Sequence, residues 1–103
     1  MENFKEIIGG KEPVLVDFYA TWCGPCKTMH PTIEELGKEL QGKARILKVD
    51  IDRNNVVATK YQIQAVPTFI LFKEGEVKWR GSGVMDKQTL LNTVRPFTER
   101  VEN

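Results

Sequence analysis

The apolar residues at the start of the chain follow the spacing of a helix. Phe4, Ile7 and Ile8 would lie on one helical face. Asn3 stands where an N-cap belongs, and Gly9 stands where such a helix would stop. We therefore predict a short amphipathic helix at the N-terminal end.

Two apolar segments further on predict strands, with a longer helix between them. Residues 14–19 are apolar except at Asp17, as expected of a strand that is buried on both faces, and residues 44–51 predict the next buried strand. One face of the intervening helix carries four apolar side chains: Met29, Ile33, Leu36 and Leu40. Gly42 ends this helix, and Pro31 lies inside it, where its missing amide hydrogen is expected to cause a bend.

The C-terminal half predicts a short helix, a β-hairpin and a final helix. Asn54 is placed to cap the short helix, and residues 68–72 and 77–81 predict two strands joined by a tight turn at residues 74–75. Asp86 is placed to cap the last helix. The apolar face of that helix carries Leu90, Val94, Phe97 and Val101.

This order of elements predicts one α/β domain spanning residues 1–103. Strands that alternate with helices favour parallel pairing under helices on both faces of the sheet, and the closing hairpin adds antiparallel pairing. We therefore expect a central mixed sheet of four strands.

Composition and charge exclude several classes of protein. Hydrophobic residues make up 41% and charged residues 28%, and 15 basic against 14 acidic residues leave a net charge of +1. Such a balanced, scattered charge offers no footprint for nucleic acid. No apolar run is long enough to cross a bilayer, and the N-terminus lacks the pattern of a secretory signal. We expect a cytoplasmic protein without nucleic-acid or membrane partners, although an exported form with its signal removed would read the same.

The two cysteines of the chain, Cys23 and Cys26, directly follow the first predicted strand. A bridge between them would close a tiny loop, so stabilisation of the fold is a poor reason for their presence. A C-x-x-C pair that opens a helix has the geometry of a dithiol switch. We expect Cys23 at the helix N-terminus, with an exposed sulfur that the free backbone N–H groups favour as a thiolate. Cys26 would lie on the same helical face.

Metal binding is the alternative interpretation of these thiols. A zinc site needs about four ligands, and His30 is the only natural addition to the pair. Covalent haem attachment needs a histidine directly after the second cysteine, where Lys27 stands. We therefore expect no metal, and we interpret His30 as an ordinary surface histidine.

Asp17 is the polar exception in an apolar strand. A buried carboxylate is costly unless it is paired or neutral, and desolvation raises its pKa. A raised pKa suits proton exchange near neutrality, which makes Asp17 a candidate for proton transfer. The alternative is an aspartate at a bend that reaches solvent.

The run Trp22–Lys27, with its two cysteines around Gly24 and Pro25, resembles the active site of the thioredoxin family. The order of elements resembles the thioredoxin fold over essentially the whole chain. One difference is that members usually begin with an extra edge strand, whereas this chain starts at the helix. The sheet expected here therefore has four strands and one open edge.

The resemblance implies a protein-disulfide reductase in which Cys23 is the nucleophile and Cys26 the resolving thiol. It implies no bound cofactor: the Cys23–Cys26 disulfide forms reversibly, and electrons come from NADPH through a flavin-dependent thioredoxin reductase. The implied partners are that reductase and disulfide-containing client proteins, with the chain itself a monomer. A disulfide oxidase or isomerase of the same fold remains an alternative, as does a binding module that recognises partners in one redox state.

The resemblance also assigns roles to other residues. Asp17 matches an aspartate behind the dithiol that assists deprotonation of Cys26, and Lys48 matches a lysine that faces this carboxylate. Val66-Pro67 matches a cis-proline loop packed against the dithiol, where the Val66 backbone can pair with an extended substrate segment. The implied rim around Cys23 is apolar and consists of Trp22, Gly24, Pro25, Val66 and Gly83.

Overall fold

A computed structural model describes residues 3–98 of the chain. This part of the protein contains four helices and four strands, in the order α1 (Phe4–Ile8), β1 (Val14–Tyr19), α2 (Gly24–Glu39), β2 (Arg45–Asp50), α3 (Asn55–Lys60), β3 (Thr68–Lys73), β4 (Glu76–Ser82) and α4 (Lys87–Thr98). None of these helices, within residues 3–98, has the length and apolar character needed to cross a membrane. The predicted order of elements is confirmed, with ends that differ by one or two residues.

The strands form one mixed sheet in the order β2-β1-β3-β4. Strands β1 and β2 are parallel, whereas β3 is antiparallel to both β1 and β4. The predicted α/β fold with a four-stranded mixed sheet is therefore confirmed. Parallel pairing is limited to β1 and β2, because β3 runs in the opposite direction even though helix α3 precedes it.

Alternating side chains of β1 divide the core into two halves. Leu15 packs with α2 and α4, while Val16 and Phe18 pack with α1 and α3 on the opposite face. Because successive side chains of a strand point to opposite faces, Asp17 shares the α2 face with Leu15. The sheet thus places a carboxylate under the helix that carries the two cysteines.

Local side-chain contacts explain where several elements begin. The Asn3 side chain accepts a hydrogen bond from the Lys5 amide (3.0 Å), and Asp86 accepts one from the Thr89 amide (2.8 Å), so both predicted caps are confirmed. Asn54 lies at the N-cap position of α3, but its side chain makes no cap bond and donates to the Asp50 carbonyl instead (3.0 Å). Val101, expected on the last helix, lies outside the described residues.

The turn between β3 and β4 is as tight as the sequence suggests. Glu74 and Gly75 have φ angles of 54° and 83°, and they are the only two residues between the strands. Two left-handed residues in succession match the twist of a two-residue hairpin. The turn starts the pairing of β4 with β3, and the register then shifts by one residue between Leu71 and Phe72. Thr68 therefore pairs with Ser82, directly before Gly83 and Val84.

Candidate active site

The two cysteines form a disulfide at the N-terminus of α2. Cys23 is the N-cap residue, and its Sγ accepts a hydrogen bond from the Cys26 backbone N–H (3.1 Å). Pro25 lies in the first helical turn, where its missing N–H leaves no intrahelical bond unmade. The helix therefore directs a backbone donor at the Cys23 sulfur, which favours negative charge there.

The exposure of the cysteines differs from the expectation. Cys23 is only 3% exposed, whereas Cys26 is partly exposed and lines a cavity with Asp17. Val66 is one reason, because its carbonyl oxygen lies 3.6 Å from Cys23 Sγ. The prediction of an exposed Cys23 sulfur is therefore wrong for this disulfide form, in which the neighbouring loop covers the residue.

Asp17 is buried, as its place in an apolar strand predicts. The residue is 4% exposed, and its Oδ1 makes no hydrogen bond to any group among residues 3–98. Burial raises the pKa of Asp17 from 3.8 to about 6, while the charge of Lys48, and that of His30 when it is protonated, oppose that rise. A carboxyl group that titrates close to neutrality can accept and release a proton under ordinary conditions.

A cavity of about 430 Å³ connects Asp17 with Cys26. Its wall is formed by the end of β1, the first turns of α2 and one side chain of β2: Asp17, Tyr19, Ala20, Thr21, Cys26, Lys27, His30 and Lys48. The structure thus brings together three of the four predicted catalytic residues around one space, and Cys23 lies next to it through its bond to Cys26.

Lys48 stands opposite Asp17 in the pairing of β2 with β1. Its ammonium, however, contacts a different group: Nζ lies 2.7 Å from His30 Nδ1. Among the residues that the structure describes, no ion pair within 4.0 Å joins Lys48 to Asp17. His30, interpreted from the sequence as an ordinary surface histidine, thus takes part in the surroundings of the buried carboxylate.

The loop before β3 packs against the dithiol. The Val66–Pro67 peptide bond is cis, as the resemblance implied, and Pro67 is buried while Val66 is partly exposed. The Thr68 hydroxyl donates to the Ala65 carbonyl (2.6 Å) and contacts Ser82 Oγ on β4 (2.8 Å). These bonds tie the loop to the end of the hairpin, next to Gly83.

The surface around Cys23 contains large exposed apolar side chains. Trp22 is 67% exposed, and Gly24 and Pro25 beside it are exposed as well. Two further residues escaped the sequence analysis. Val84 is 59% exposed directly after Gly83, and Asp52 accepts a hydrogen bond from Trp22 Nε1 (2.9 Å). Asp52 follows β2, and the spacing of 30 residues gave no signal of this contact.

A metal centre finds no support in the arrangement of side chains. Within residues 3–98, no three His, Cys, Asp or Glu side chains are grouped so that they could hold an ion. The His30 ring contacts Lys48 and Glu34 through its two nitrogens. The reactive groups that the structure brings together are the two sulfurs and the buried carboxyl group of Asp17.

Comparisons with known proteins agree with this geometry. The family model described as Thioredoxin matches residues 1–96. A thioredoxin-like protein of Synechocystis sp. is 45% identical over 96 residues, covering 92% of this chain and 91% of the relative. A thioredoxin of Rickettsia conorii is 48% identical over 90 residues, covering 87% and 86%. A solved thioredoxin variant from Halobacterium salinarum superposes with a TM-score of 0.85 at 34% identity, covering 99% of this chain and 88% of that one. The chain therefore belongs to the thioredoxin family, and its Cys23–Cys26 pair is the redox centre of a dithiol–disulfide oxidoreductase.

Proposed function

We propose that the protein is a general reductant of protein disulfides, with Cys23 as nucleophile and Cys26 as resolving thiol. The observation that carries these roles is the hydrogen bond from the Cys26 amide to Cys23 Sγ, at the N-terminus of α2. Cys26 has no equivalent place at the helix end, because it lies inside the first turn and faces the cavity. The helix therefore favours the thiolate at Cys23.

The exchange proceeds in two steps that move two electrons to the client. The Cys23 thiolate attacks one sulfur of the client disulfide, forms a mixed disulfide and expels the other client sulfur as a thiolate. Cys26, once deprotonated, attacks Cys23 Sγ, so the mixed disulfide breaks and the second client sulfur leaves. The client is reduced and the Cys23–Cys26 disulfide of the described structure results.

Asp17 is the base proposed for the second step. Cys26 and Asp17 line the same cavity, and the pKa of Asp17, about 6, is close enough to neutrality for the carboxylate to receive the thiol proton. Burial is what raises the proton affinity of the carboxylate, because an exposed aspartate would be a much weaker base. Lys48 moderates the effect of burial through its charge.

The client is proposed to bind across the rim of Trp22, Gly24, Pro25, Val66 and Gly83. Apolar side chains exposed next to a reactive group are typical of protein–protein contact. Val66 lies beside Cys23, so its backbone is placed to pair with an extended client segment that carries the disulfide. The hydrogen bond from Trp22 Nε1 to Asp52 restrains the orientation of the indole ring, which belongs to this rim.

Electrons are proposed to reach the site from NADPH through a flavin-dependent thioredoxin reductase. The protein is proposed to act as a monomer of one domain and to need no bound cofactor, because the reduced Cys23–Cys26 dithiol carries the two electrons and becomes the disulfide when it gives them up. A cytoplasmic location, where thiols are kept reduced, suits a reductant and stays a prediction of the sequence.

A glutathione-equilibrium titration of the dithiol tests the direction of the reaction. Reducing members of this family have potentials of about −270 mV, and strongly oxidising relatives lie near −120 mV. We expect this protein at the reducing end, and we expect steady reduction of insulin with NADPH and a thioredoxin reductase. A potential near the oxidising end would instead assign an oxidase or isomerase. Tight partner binding in one redox state without insulin turnover would assign a binding module.

A further inference from the structure

The side chain of His30 links Lys48 to Glu34. Lys48 Nζ lies 2.7 Å from His30 Nδ1, and His30 Nε2 lies 3.0 Å from Glu34 Oε1, one turn further along α2. An ammonium group can only donate hydrogen bonds, so Nδ1 is the acceptor. The remaining ring hydrogen is on Nε2 and is donated to the Glu34 carboxylate. The contacts therefore assign a neutral imidazole of one defined tautomer.

Lys48 lies between two groups that can accept its hydrogen bond. It lines the cavity with Asp17, its direct partner in the strand pairing, and the Oδ1 atom of Asp17 is buried without a hydrogen bond from residues 3–98. The ammonium nevertheless contacts His30, with the Tyr19 ring centroid 5.5 Å from Nζ. In this structure the imidazole, and not the carboxylate, holds the cation.

We propose that His30 is a positioning residue, whose Nδ1 accepts the Lys48 hydrogen bond and so keeps the ammonium group away from the Asp17 carboxylate. This inference rests on the proposed role of Asp17 in proton transfer. An ammonium in direct contact would stabilise the ionised carboxylate and lower the pKa of Asp17. The carboxylate would then be a weaker base toward Cys26. The position of Lys48 thus sets how readily Asp17 takes up a proton.

Protonation of His30 would release Lys48. A second ring hydrogen on Nδ1 removes the acceptor, and the two cations repel each other. The ammonium can then turn to the carboxylate on the same cavity wall. The titratable and charged groups around His30 come from three elements: Asp17 and Tyr19 of β1, Lys48 of β2, and Cys26 (when reduced), Lys27 and Glu34 of α2. When His30 is protonated, Asp17 is therefore expected to bind its proton less tightly for two reasons. One is the charge of the imidazolium itself, and the other is the approach of the Lys48 ammonium.

A matched pair of substitutions at position 30 separates the hydrogen bond from other effects. In His30→Asn, the amide oxygen stands near the place of Nδ1 and can still accept from Lys48, but it does not titrate. His30→Leu has nearly the same size and shape as the asparagine variant and offers no acceptor. Both changes are made at a side chain that is 53% exposed, so the core is left intact.

The readout is the proton affinity of Asp17, followed in the reduced protein by the ¹³C shift of its carboxyl group as the pH is varied. We expect His30→Leu to lower that affinity several-fold, up to about tenfold, and His30→Asn to leave it within about twofold of the wild type. Equal shifts in the two variants, or no shift in either, would overturn the inference.

A second substitution checks that the effect passes through Lys48. In a Lys48→Met background the ammonium is absent, so exchanging leucine for asparagine at position 30 should no longer change the Asp17 titration. A difference that persists there contradicts the inference. The outcome for Asp17 itself is separate: if the titration shifts as expected while client release keeps its rate, His30 positions Lys48 but Asp17 is not the base.

Discussion

Serine in place of Cys23 is expected to abolish the reduction of protein disulfides, by at least about a thousandfold, because the attacking thiolate is gone. Serine in place of Cys26 is expected to stop the reaction one step later. Cys23 can then still attack the client, but nothing resolves the mixed disulfide, which accumulates and is detected by mass spectrometry of the intact protein. The two variants serve as controls for each other, since each retains one thiol.

The burial of Cys23 makes the reverse outcome informative. Cys23 is 3% exposed in the disulfide form, and Cys26 is the more accessible residue. If the Cys23→Ser protein traps clients and the Cys26→Ser protein does not react, the roles of the two cysteines are exchanged. The exposure of the sulfur then decides which cysteine attacks, and its place at the helix N-terminus does not. We expect the hydrogen bond from the Cys26 amide to decide the order.

Asparagine in place of Asp17 is expected to stabilise the protein at neutral pH by up to about 3 kcal/mol, the equivalent of a pKa that burial moves from 3.8 to about 6. Below about pH 4 the carboxyl group is neutral in both the folded and the unfolded chain, so the gain is small there. Between about 4 and 6 only the unfolded chain loses its proton, and the wild type loses stability as the pH rises. Above about 6 the gain is complete.

Urea unfolding of the disulfide form at about pH 4 and pH 8 measures this difference. The control is Glu12→Gln, which removes an exposed carboxylate and should change the free energy of unfolding little at either pH. A gain for Asp17→Asn that is the same at both pH values would show that the charge of Asp17 has no part in it. The same variant should slow client release near neutrality, and unchanged rates from about pH 6 to 9 would remove Asp17 from the mechanism.

The local parts of this site follow from the sequence. The apolar run of β1 predicts a buried strand, and Asp17 within it predicts a buried carboxyl group. Both predictions need only the neighbouring residues, because a short continuous apolar run by itself indicates a buried strand. The two cysteines predict a dithiol at a helix N-terminus for the same reason. The cis bond before Pro67 was implied by the family resemblance alone, because few bonds to proline are cis.

The remaining parts depend on contacts between distant segments. The family resemblance implied that the loop at Val66, 43 residues from Cys23, packs against the dithiol, but no pattern around the cysteines indicates that it buries Cys23. Lys48 was expected to face Asp17, and its bond to His30, 18 residues away, depends on how α2 lies over the sheet. Asp52 contacts Trp22 in the same way. The sequence therefore predicts contacts within one helix or strand well. It does not predict which distant residue a long, exposed side chain contacts.

The proposed reaction depends on one sulfur that is ionised and reachable in the reduced protein. Alkylation by iodoacetamide at pH 7, with the modified cysteine identified by peptide mass spectrometry, measures this directly. We expect Cys23 to be alkylated first and at least about fivefold faster than glutathione, because the helix N-terminus raises its thiolate fraction. Alkylation of Cys26 first, or of neither sulfur faster than glutathione, would contradict the proposed role of Cys23 as the nucleophile.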